Sequence, residues 1–124
     1  MDYFKQIPES QKDILEQKIL QKVAIEKKYL DANYNLKQLA KDIDSNTKYV
    51  SGTINERMNC NFSELISGFR VREAKKILKD TMLANLSIEQ VATMSGFSNR
   101  QSFYNKFTAY CGMTPTEYRK QKAK

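Results

Sequence analysis

The feature that most constrains this chain is a short pattern that occurs twice. In each copy an alanine is followed, four positions later, by a residue type that tolerates left-handed backbone geometry: Ala40 with Asp44, and Ala92 with Gly96. A small residue allows a second helix to cross closely, and a left-handed residue makes the tight turn between the two helices. Each copy therefore predicts two helices joined by a short turn.

The segments that follow the two turns also match each other. Val50 and Ile54 in the first copy correspond to Phe103 and Phe107 in the second, and the members of each pair are four residues apart. Side chains at that spacing lie on one face of a helix, which is expected to point inward. One such layout is common in helical hairpins, whereas two copies are much more specific and predict two helix-turn-helix units.

The rest of the chain has a helical pattern as well. Only four glycines and two prolines interrupt 124 residues, and apolar residues recur at spacings of three and four rather than two. This pattern predicts an all-α fold of seven helices. We expect a mobile lead-in (residues 1–9), a connector and first helix (10–33), a first helix-turn-helix (34–60), a linking helix (61–82), and a second helix-turn-helix with a C-terminal helix (83–124).

Four helix starts have the residues of a capping box, in which the residue before the helix and the residue three positions later each bond the other's backbone N–H. These pairs are Asn35 with Gln38, Asn61 with Glu64, Ser87 with Gln90, and Thr114 with Glu117. Ser10 is expected to cap the first helix, and Asn59 to end the third. The second to sixth helices are accordingly predicted at about residues 36–43, 47–58, 62–80, 88–94 and 99–110.

The balance of charged residues favours a polyanionic partner. The 21 Lys and Arg residues exceed the 14 Asp and Glu residues, which gives a formal net charge of +7. Nucleic acid and an acidic membrane surface both fit this charge. No apolar run approaches the roughly 18 residues that span a bilayer, and the start of the chain lacks the layout of a signal peptide. We therefore expect a cytoplasmic location.

Catalytic and metal-binding chemistry are poorly represented in the sequence. The chain has no histidine, and its two cysteines, Cys60 and Cys111, are far apart and outside any CxxC spacing. These residues favour neither a zinc site nor a disulfide framework. There is also no glycine-rich phosphate loop or nucleophile motif. We expect a protein that is not an enzyme and that uses no cofactor or metal.

Three stretches of the sequence resemble the DNA-binding domain of the AraC/XylS transcription regulators. They are FRVREAKKIL (69–78), SIEQVATMSGFSNRQSFYNKF (87–107) and GMTPTEYR (112–119). The resemblance extends from about Leu36 to Arg119 and is looser over the first helix. It implies seven helices in two subdomains, joined by the long fourth helix, with two recognition helices that enter adjacent major grooves on one face of the DNA. One departure is Asp44, where the family usually has glycine.

Helical spacing and the resemblance together predict the residues of the first reading surface. If Val50 points inward, the opposite side of the third helix presents Lys48, Ser51, Gly52 and Asn55. The resemblance assigns the first three to base-facing positions, with Asn55 further along. Lys48 can donate to N7 and O6 of guanine or to a phosphate. Gly52 either allows close approach to the groove or is simply an exposed glycine.

The second reading surface has more base-pairing chemistry. Gln101 and Asn105 lie four residues apart on the outer face of the sixth helix, with Arg100 beside them, and the resemblance places the same three at the groove. Gln and Asn pair bidentately with adenine, and Arg pairs with guanine. Each of these residues taken alone is also compatible with a solvated polar face.

Further residues are predicted to position the DNA backbone. Phosphate contacts are expected at the recognition-helix starts and at flanking basic residues, namely Thr47, Asn99, Lys106 and Arg119. Weaker candidates are Ser98, Lys37, Lys41 and Arg57. Arg70 is interpreted as structural and is expected to pair with Glu73.

The expected partners follow from this interpretation. Double-stranded DNA is the principal one, RNA polymerase is a further candidate, and a sensor or signalling domain is expected N-terminal to this segment; no membrane contact is expected. The alternative is a helical adaptor whose apolar first helix binds a protein. We also expect a monomer in which the linking helix holds the two recognition helices in one orientation.

Overall fold

The computed structural model describes residues 3–121, and all regular secondary structure in that range is helical. The α-helices are α1 (Glu9–Leu20), α2 (Leu36–Asp42), α3 (Thr47–Met58), α4 (Phe62–Lys79), α5 (Ile88–Met94), α6 (Arg100–Cys111) and α7 (Pro115–Lys120). Short 3₁₀ turns occupy Tyr3–Gln6, Lys28–Leu30 and Thr81–Leu83, and a π-helical turn occupies Gln21–Ile25. The predicted all-α fold of seven helices is confirmed. None of the helices in the described range is both long and apolar enough to cross a membrane.

The chain divides into two compact units. Unit 1 contains the described residues up to Lys28 together with Tyr34–Ile66, and unit 2 contains Tyr29–Asn33 together with the described residues from Ser67 onward. Each unit contains one of the two predicted helix-turn-helix pairs, α2 with α3 and α5 with α6. The first five residues of α4 belong to unit 1, and the remainder belong to unit 2.

The core of unit 1 forms where α1 and α2 pack against α3. Ile19 of α1, Leu39 of α2, and Val50 and Ile54 of α3 have no exposed surface. Burying an aliphatic side chain of this size contributes about 1.5–3 kcal/mol relative to leaving it exposed. The inward-facing pair that was predicted from its spacing therefore fixes which side of α3 remains outside.

The core of unit 2 is built around aromatic rings. Phe103 and Phe107 of α6 are fully buried, and they pack among apolar side chains of α4 and α5. Their ring centroids are 5.6 Å apart in an edge-to-face arrangement, and Phe97 and Tyr118 continue the contacts at 5.1 and 5.5 Å. Such ring pairs add to the free energy of area burial. α6 is thus held on one side, with its opposite side outward.

Capping explains why several helices begin where they do. Ser87 and Thr114 each take part in a complete capping box, with both reciprocal hydrogen bonds present. Asn61 and Glu64 also bond each other's backbone N–H groups, at 2.8 and 3.0 Å. The fourth predicted box is only half formed, because the Gln38 side chain donates to Asp42.

The first helix is shorter than the sequence predicts. α1 begins after Pro8 instead of after a Ser10 cap, and it ends at Leu20, before the π-helical turn. Lys27 then has a left-handed φ of 57°, which stops the helical path. The apolar spacing predicted one helix as far as residue 33 because it continues past this break, whereas a left-handed lysine gives no sequence signal.

The predicted mobile lead-in is also wrong for the residues that the structure describes. Residues Tyr3–Gln6 form a 3₁₀ turn, and Phe4 within it is only 7% exposed. This turn contacts α3. An aromatic side chain anchors the segment, although a four-residue turn is too short to show a helical period. Met1 and Asp2 lie outside the described residues.

Candidate nucleic-acid interface

The same turn joins the two helices of each helix-turn-helix pair. Asp44 and Gly96 have φ values of 58° and 94°, as the pattern predicted. Ser45 N–H donates to the Ala40 carbonyl at 2.8 Å, and Phe97 N–H donates to the Ala92 carbonyl at 3.0 Å. These bonds satisfy carbonyls at the end of the first helix in each pair, as in a Schellman motif. The alanine in each copy therefore contributes a carbonyl acceptor to the turn as well as a small side chain.

The second helix of each pair also begins in the same way. The side-chain oxygen of Asn46 accepts a hydrogen bond from Tyr49 N–H, and that of Asn99 accepts one from Ser102 N–H, both at 2.8 Å. An asparagine cap satisfies one of the free N–H groups of a helix start. α3 and α6 therefore follow the same kind of turn and begin with the same kind of cap, and they differ in the side chains that they carry outward.

The outward face of α6 is a continuous polar surface. Gln101 and Asn105 are exposed, and Gln101 Nε2 donates to Asn105 Oδ1 at 3.0 Å. These two residues line a shallow surface depression together with Arg100, Tyr104 and Thr108. All three residues predicted to read bases are thus brought together. Tyr104 and Thr108 were not predicted, although they lie three and seven positions after Gln101, on the same face.

Tyr104 holds Arg100 at the edge of this surface. The guanidinium carbon lies 5.2 Å from the centroid of the Tyr104 ring, and Nη1 lies 3.5 Å from a carboxylate oxygen of Glu89. Hydrogen bonding to Tyr104 raises the pKa of Arg100. The Tyr104 hydroxyl in turn lies 2.9 Å from the Thr116 hydroxyl, and this hydrogen bond lowers the pKa of Tyr104. The arginine is therefore oriented by neighbours on α5 and α6.

The outward face of α3 has less free polar chemistry. Lys48 and Asn55 are exposed, whereas Ser51 and Gly52 are half-buried. The Asn55 side chain donates to the Ser51 carbonyl at 2.9 Å. A Cβ added at Gly52 would lie 2.8–3.0 Å from ring atoms of Phe4. The interpretation of Gly52 as a plain exposed glycine is therefore wrong.

Arg57, a weaker phosphate candidate, instead forms ion pairs with α1. Its guanidinium lies 2.6 Å from carboxylate oxygens of Glu9 and Asp13 and 3.2 Å from one of Glu16. Hydrogen bonding to Asp13 raises the pKa of Arg57. Since three carboxylates surround the guanidinium, the structure contradicts its assignment to a DNA phosphate and gives it a role in holding α1 against α3.

Lys12 provides a second ionic link between the same helices. The lysine is only 3% exposed, and its Nζ lies 3.0 Å from a carboxylate oxygen of Glu56 on α3. Hydrogen bonding to Glu56 raises the pKa of Lys12. Its charge is thus paired, as a buried cation requires.

Arg70 is structural, as predicted, but its partners are different. Nε donates to the Tyr29 carbonyl at 2.7 Å, and Nη2 donates to the Asp31 carbonyl at 2.9 Å. Glu73, the predicted partner, accepts a hydrogen bond from the Tyr29 hydroxyl and lies 3.5 Å from Lys76. Arg70 therefore fixes the Tyr29–Asn33 segment within unit 2.

The remaining phosphate candidates have different surroundings. Thr47 and Asn99 are exposed at the starts of α3 and α6, and Lys106 is half-buried on α6. Arg119 differs, because its Nε and Nη2 atoms are buried without a hydrogen-bond partner. That burial leaves at most the third guanidinium nitrogen to meet a phosphate.

The two cysteines have no part in these surfaces. Cys60 and Cys111 are half-buried thiols near the ends of α3 and α6, and burial raises the pKa of each. Within residues 3–121, no group of three or more His, Cys, Asp or Glu residues is arranged to hold a metal ion.

Residues 39–121 match the sequence profile of a family described as a helix-turn-helix domain. The chain belongs to this family. The match includes most of α2 and all of α3, α5 and α6. It covers more than half of the chain, and the resemblance to AraC-type regulators is confirmed. This part of the chain is therefore a DNA-binding domain of a transcription regulator of that type.

Known proteins support the same conclusion. The melibiose operon regulatory protein of Escherichia coli is 29% identical over 90 residues, which are 73% of this chain and 29% of that protein. The C-terminal domain of the two-component response regulator yesN from Fusobacterium nucleatum has a similar structure, with a TM-score of 0.72, 25% identity, and coverage of 90% of this chain and 99% of that one. A transcriptional regulator with an AraC-type DNA-binding domain from Chromobacterium violaceum shares the fold, with a TM-score of 0.75, 19% identity, and coverage of 88% and 95%.

The curated relatives are much longer than the part that matches. The aligned region makes up 12% to 29% of their length. This chain therefore corresponds to only a part of each of these relatives.

Proposed function

We propose that this chain is the output domain of a longer transcription regulator, and that it binds specific double-stranded DNA sequences by placing α3 and α6 in adjacent major grooves. The outward face of α6 carries this proposal, because Arg100, Gln101 and Asn105 form one exposed surface on a helix whose opposite face is fully buried. A rigid helix with base-pairing side chains on one side is what direct reading of a major groove requires.

The side chains of α6 fit particular base edges. Gln101 donates one amide hydrogen to Asn105, which leaves its carbonyl oxygen and its second amide hydrogen for the N6 and N7 atoms of adenine. Arg100 offers a bidentate donor to guanine once it leaves Glu89. Thr108 presents a methyl group that suits the methyl group of thymine.

α3 is proposed as the second reader, with Lys48, Ser51, Gly52 and Asn55 as its base-facing positions. Thr47 and Asn99 are proposed to place the helix starts near phosphates, with Lys106 and Arg119 beside them. The formal charge of +7 supports a polyanionic partner of this kind.

The action we propose is binding without a catalysed step. We propose a sensor or signalling domain on the N-terminal side of this segment. The similar Fusobacterium structure, which is the C-terminal domain of a two-component response regulator, supports this proposal. RNA polymerase is the proposed protein partner at the promoter. In a bacterial cell this role places the chain with the chromosome, in the cytoplasm.

Selection from a randomised duplex pool, followed by gel shifts in the presence of competitor DNA, tests the proposal. We expect the chain to enrich a defined site. Gln101→Ala should lose about 1–3 kcal/mol of binding free energy on that site and relax the preference at one base pair. Lys106→Ala is the matched control on the same helix, and it should weaken all duplexes similarly and lower the salt dependence.

Two results would contradict this function. Failure to enrich any sequence would remove specific DNA binding, and equal losses on specific and random DNA would remove Gln101 from the reading surface. The alternative function, a helical adaptor for a protein partner, draws on the exposure of Ile14 in α1 and of Ile25 in the following turn, at 52% and 70%. A chain that prefers no duplex sequence would favour that alternative.

A further inference from the structure

The 3₁₀ turn Tyr3–Gln6, here named the N-terminal clamp, lies against the helix that the proposed function uses as its first reader. Phe4 is its anchor, with 7% of its surface exposed, while Tyr3 is 56% exposed. The Phe4 ring centroid is 6.3 Å from that of Tyr49 on α3 and 4.5 Å from Nζ of Lys12 on α1. Phe4 therefore fills a site between α1 and α3.

The clamp lies over Gly52. Three ring atoms of Phe4 are 2.8–3.0 Å from the position that a Cβ at Gly52 would take, and real Cβ atoms are very rarely found so close to a neighbour. Glycine in the interior of a helix reduces its stability relative to alanine. The clamp explains this glycine, because any other residue at position 52 would displace the Phe4 ring.

Gly52 belongs to the outward face of α3. It lies one turn after Lys48 and three positions before Asn55, and both of these residues are exposed. Nζ of Lys48 is also 5.8 Å from the ring centroid of Tyr3. Two of the four residues predicted to face the bases are thus in contact with the clamp.

A helix with this clamp is too thick to enter a groove with the covered side inward. An α-helix with its side chains has a diameter of about 10–12 Å, and the major groove of B-DNA is about 12 Å wide. A phenyl ring on the outward face leaves no room for base contact at Gly52. On the basis of the proposed function, we infer that the N-terminal clamp is an autoinhibitory contact, which must leave Gly52 before α3 reads DNA.

The clamp is attached in a way that allows it to leave α3 and return. It is a single turn of four residues, and its Tyr3, Lys5 and Gln6 side chains are exposed or partly exposed. Only Phe4 is buried, so one side chain supplies most of the apolar contact. When a binding-competent state is only partly populated, the apparent affinity is reduced in proportion. Anything that moves the segment before Pro8 therefore changes the affinity of α3 for DNA.

Binding of three variants to the duplex selected by the unaltered chain tests this inference. Phe4→Ala should bind about tenfold more tightly or better, because burial of a phenyl ring no longer competes with DNA. Gly52→Ala should also bind more tightly, since its methyl group displaces the ring. The double variant should gain little beyond Phe4→Ala, because both changes remove the same contact.

Gly68→Ala is the matched control for the general effect of replacing a helical glycine. A Cβ at Gly68, within α4, would meet only one Tyr110 ring atom at the ordinary distance of 3.8 Å. Its DNA affinity should stay within about twofold of the unaltered chain. A folded Phe4→Ala variant that binds no more tightly than the unaltered chain would overturn the inference, with folding checked by circular dichroism.

A fluorescence measurement keeps the inference testable even if Phe4→Ala does not fold. The chain has no tryptophan, so Tyr3→Trp introduces a single fluorophore at the clamp. Addition of the selected duplex should shift its emission to longer wavelength and increase its quenching by acrylamide. Unchanged or reduced quenching would show that the clamp stays in place and would overturn the inference. Failure of the unaltered chain to select any duplex would instead remove the proposed function, before any variant is compared.

Discussion

The proposed reading helices of the two units follow the same kind of turn and begin with the same kind of cap, but they differ in what covers them. α3 and α6 both follow a left-handed turn residue and both begin with an asparagine cap. On α6 the outward face carries exposed Gln101 and Asn105. On α3 the corresponding surface includes a glycine under Phe4. The duplicated helix-turn-helix therefore determines where the outward face of each helix lies, whereas additional segments determine whether that face is open.

The turns show a second difference between the units. Asp44 is exposed, so its left-handed φ of 58° has only a local cost. Gly96 is buried, and a Cβ there would fall inside van der Waals contact with the Tyr29 carbonyl oxygen and 3.0 Å from Leu30 Cα. Unit 2 therefore requires glycine at this turn for two reasons, and unit 1 does not.

Substitution of the turn residue should affect stability strongly in unit 2 and only weakly in unit 1. Gly96→Ala should lower the free energy of unfolding by about 3 kcal/mol, because the left-handed backbone and the overlap with residues 29 and 30 both oppose a methyl group. Asp44→Gly should change it by less than about 0.5 kcal/mol, because relief of local strain is offset by greater freedom of the unfolded chain. Urea unfolding measures both. Similar effects at the two positions would contradict the difference between the turns.

Arg100 is expected to contribute to DNA binding, and Arg57 is expected to contribute to stability. Arg100→Gln should lower affinity for the selected duplex roughly tenfold, since it removes a bidentate donor from the open face of α6. Arg57→Gln should lower the urea midpoint, because it leaves carboxylates of α1 without their shared cation. Arg57→Gln should leave the preferred duplex sequence unchanged. A shift in base preference for Arg57→Gln would place that residue in the reading surface.

The sequence predicts the parts of the fold that depend on contacts between residues close together in the chain, and it misses those that depend on distant residues. The bounds of α3 and α5 agree with the prediction, because short-range capping residues and inward-facing pairs determine them. The N-terminal turn was missed because its anchor, Phe4, packs against residues more than 40 positions later in the chain. The isolated Gly52 was the only local sign of that contact.

The same distinction between short-range and long-range contacts applies to the candidate site. Helical spacing placed Gln101 and Asn105 correctly on one face. It did not reveal Tyr104, whose role depends on a hydroxyl contact with Thr116 of another helix. It also left Arg57 as a weaker phosphate candidate, because helical spacing does not show that carboxylates of α1 surround this residue. Helical periodicity shows which side of a helix faces outward, but it does not show which distant segment lies there.

A third prediction tests the support of the open face. Tyr104→Phe removes the hydroxyl contact with Thr116 and keeps the ring beside Arg100, so the free energy of unfolding should fall by about 1 kcal/mol. Tyr49→Phe on α3 is the control, because the Tyr49 hydroxyl makes no hydrogen bond within residues 3–121; it should change stability by less than about 0.5 kcal/mol. Equal losses would show that the contact between α6 and α7 contributes nothing specific.

The two units share a glutamate in the capping box of the helix that follows each proposed reading helix, namely Glu64 in α4 and Glu117 in α7. Hydrogen bonding from Thr114 lowers the pKa of Glu117 below its usual value. The ionised Glu117 side chain therefore stabilises the folded state above the pKa of a glutamate in the unfolded chain, about 4.3. This stabilisation is lost as the pH falls through the lower pKa that Glu117 has in the folded state.

Glu117→Gln keeps an acceptor for Thr114 but cannot titrate. The stability advantage of the unaltered chain over this variant should be present at pH 7 and should be lost as the pH falls through the lowered pKa of Glu117, as measured by urea unfolding between pH 7 and pH 3. Gln90→Glu is the reciprocal control, because it makes the box that begins α5 titratable and should add a pH dependence of the same sign. An advantage that is equal at pH 7 and pH 3 would rule out this linkage.

The short Tyr29–Asn33 segment makes unit 2 discontinuous in the sequence. It lies between α1 and α2 in the chain yet belongs to unit 2, where its carbonyl groups accept both hydrogen bonds from Arg70. A fragment that begins at Ser67 would keep Arg70, whose burial lowers its pKa, but would lack both acceptors. A graft that keeps all of unit 2 around α6 therefore needs residues 29–33 as well as those from Ser67 onward.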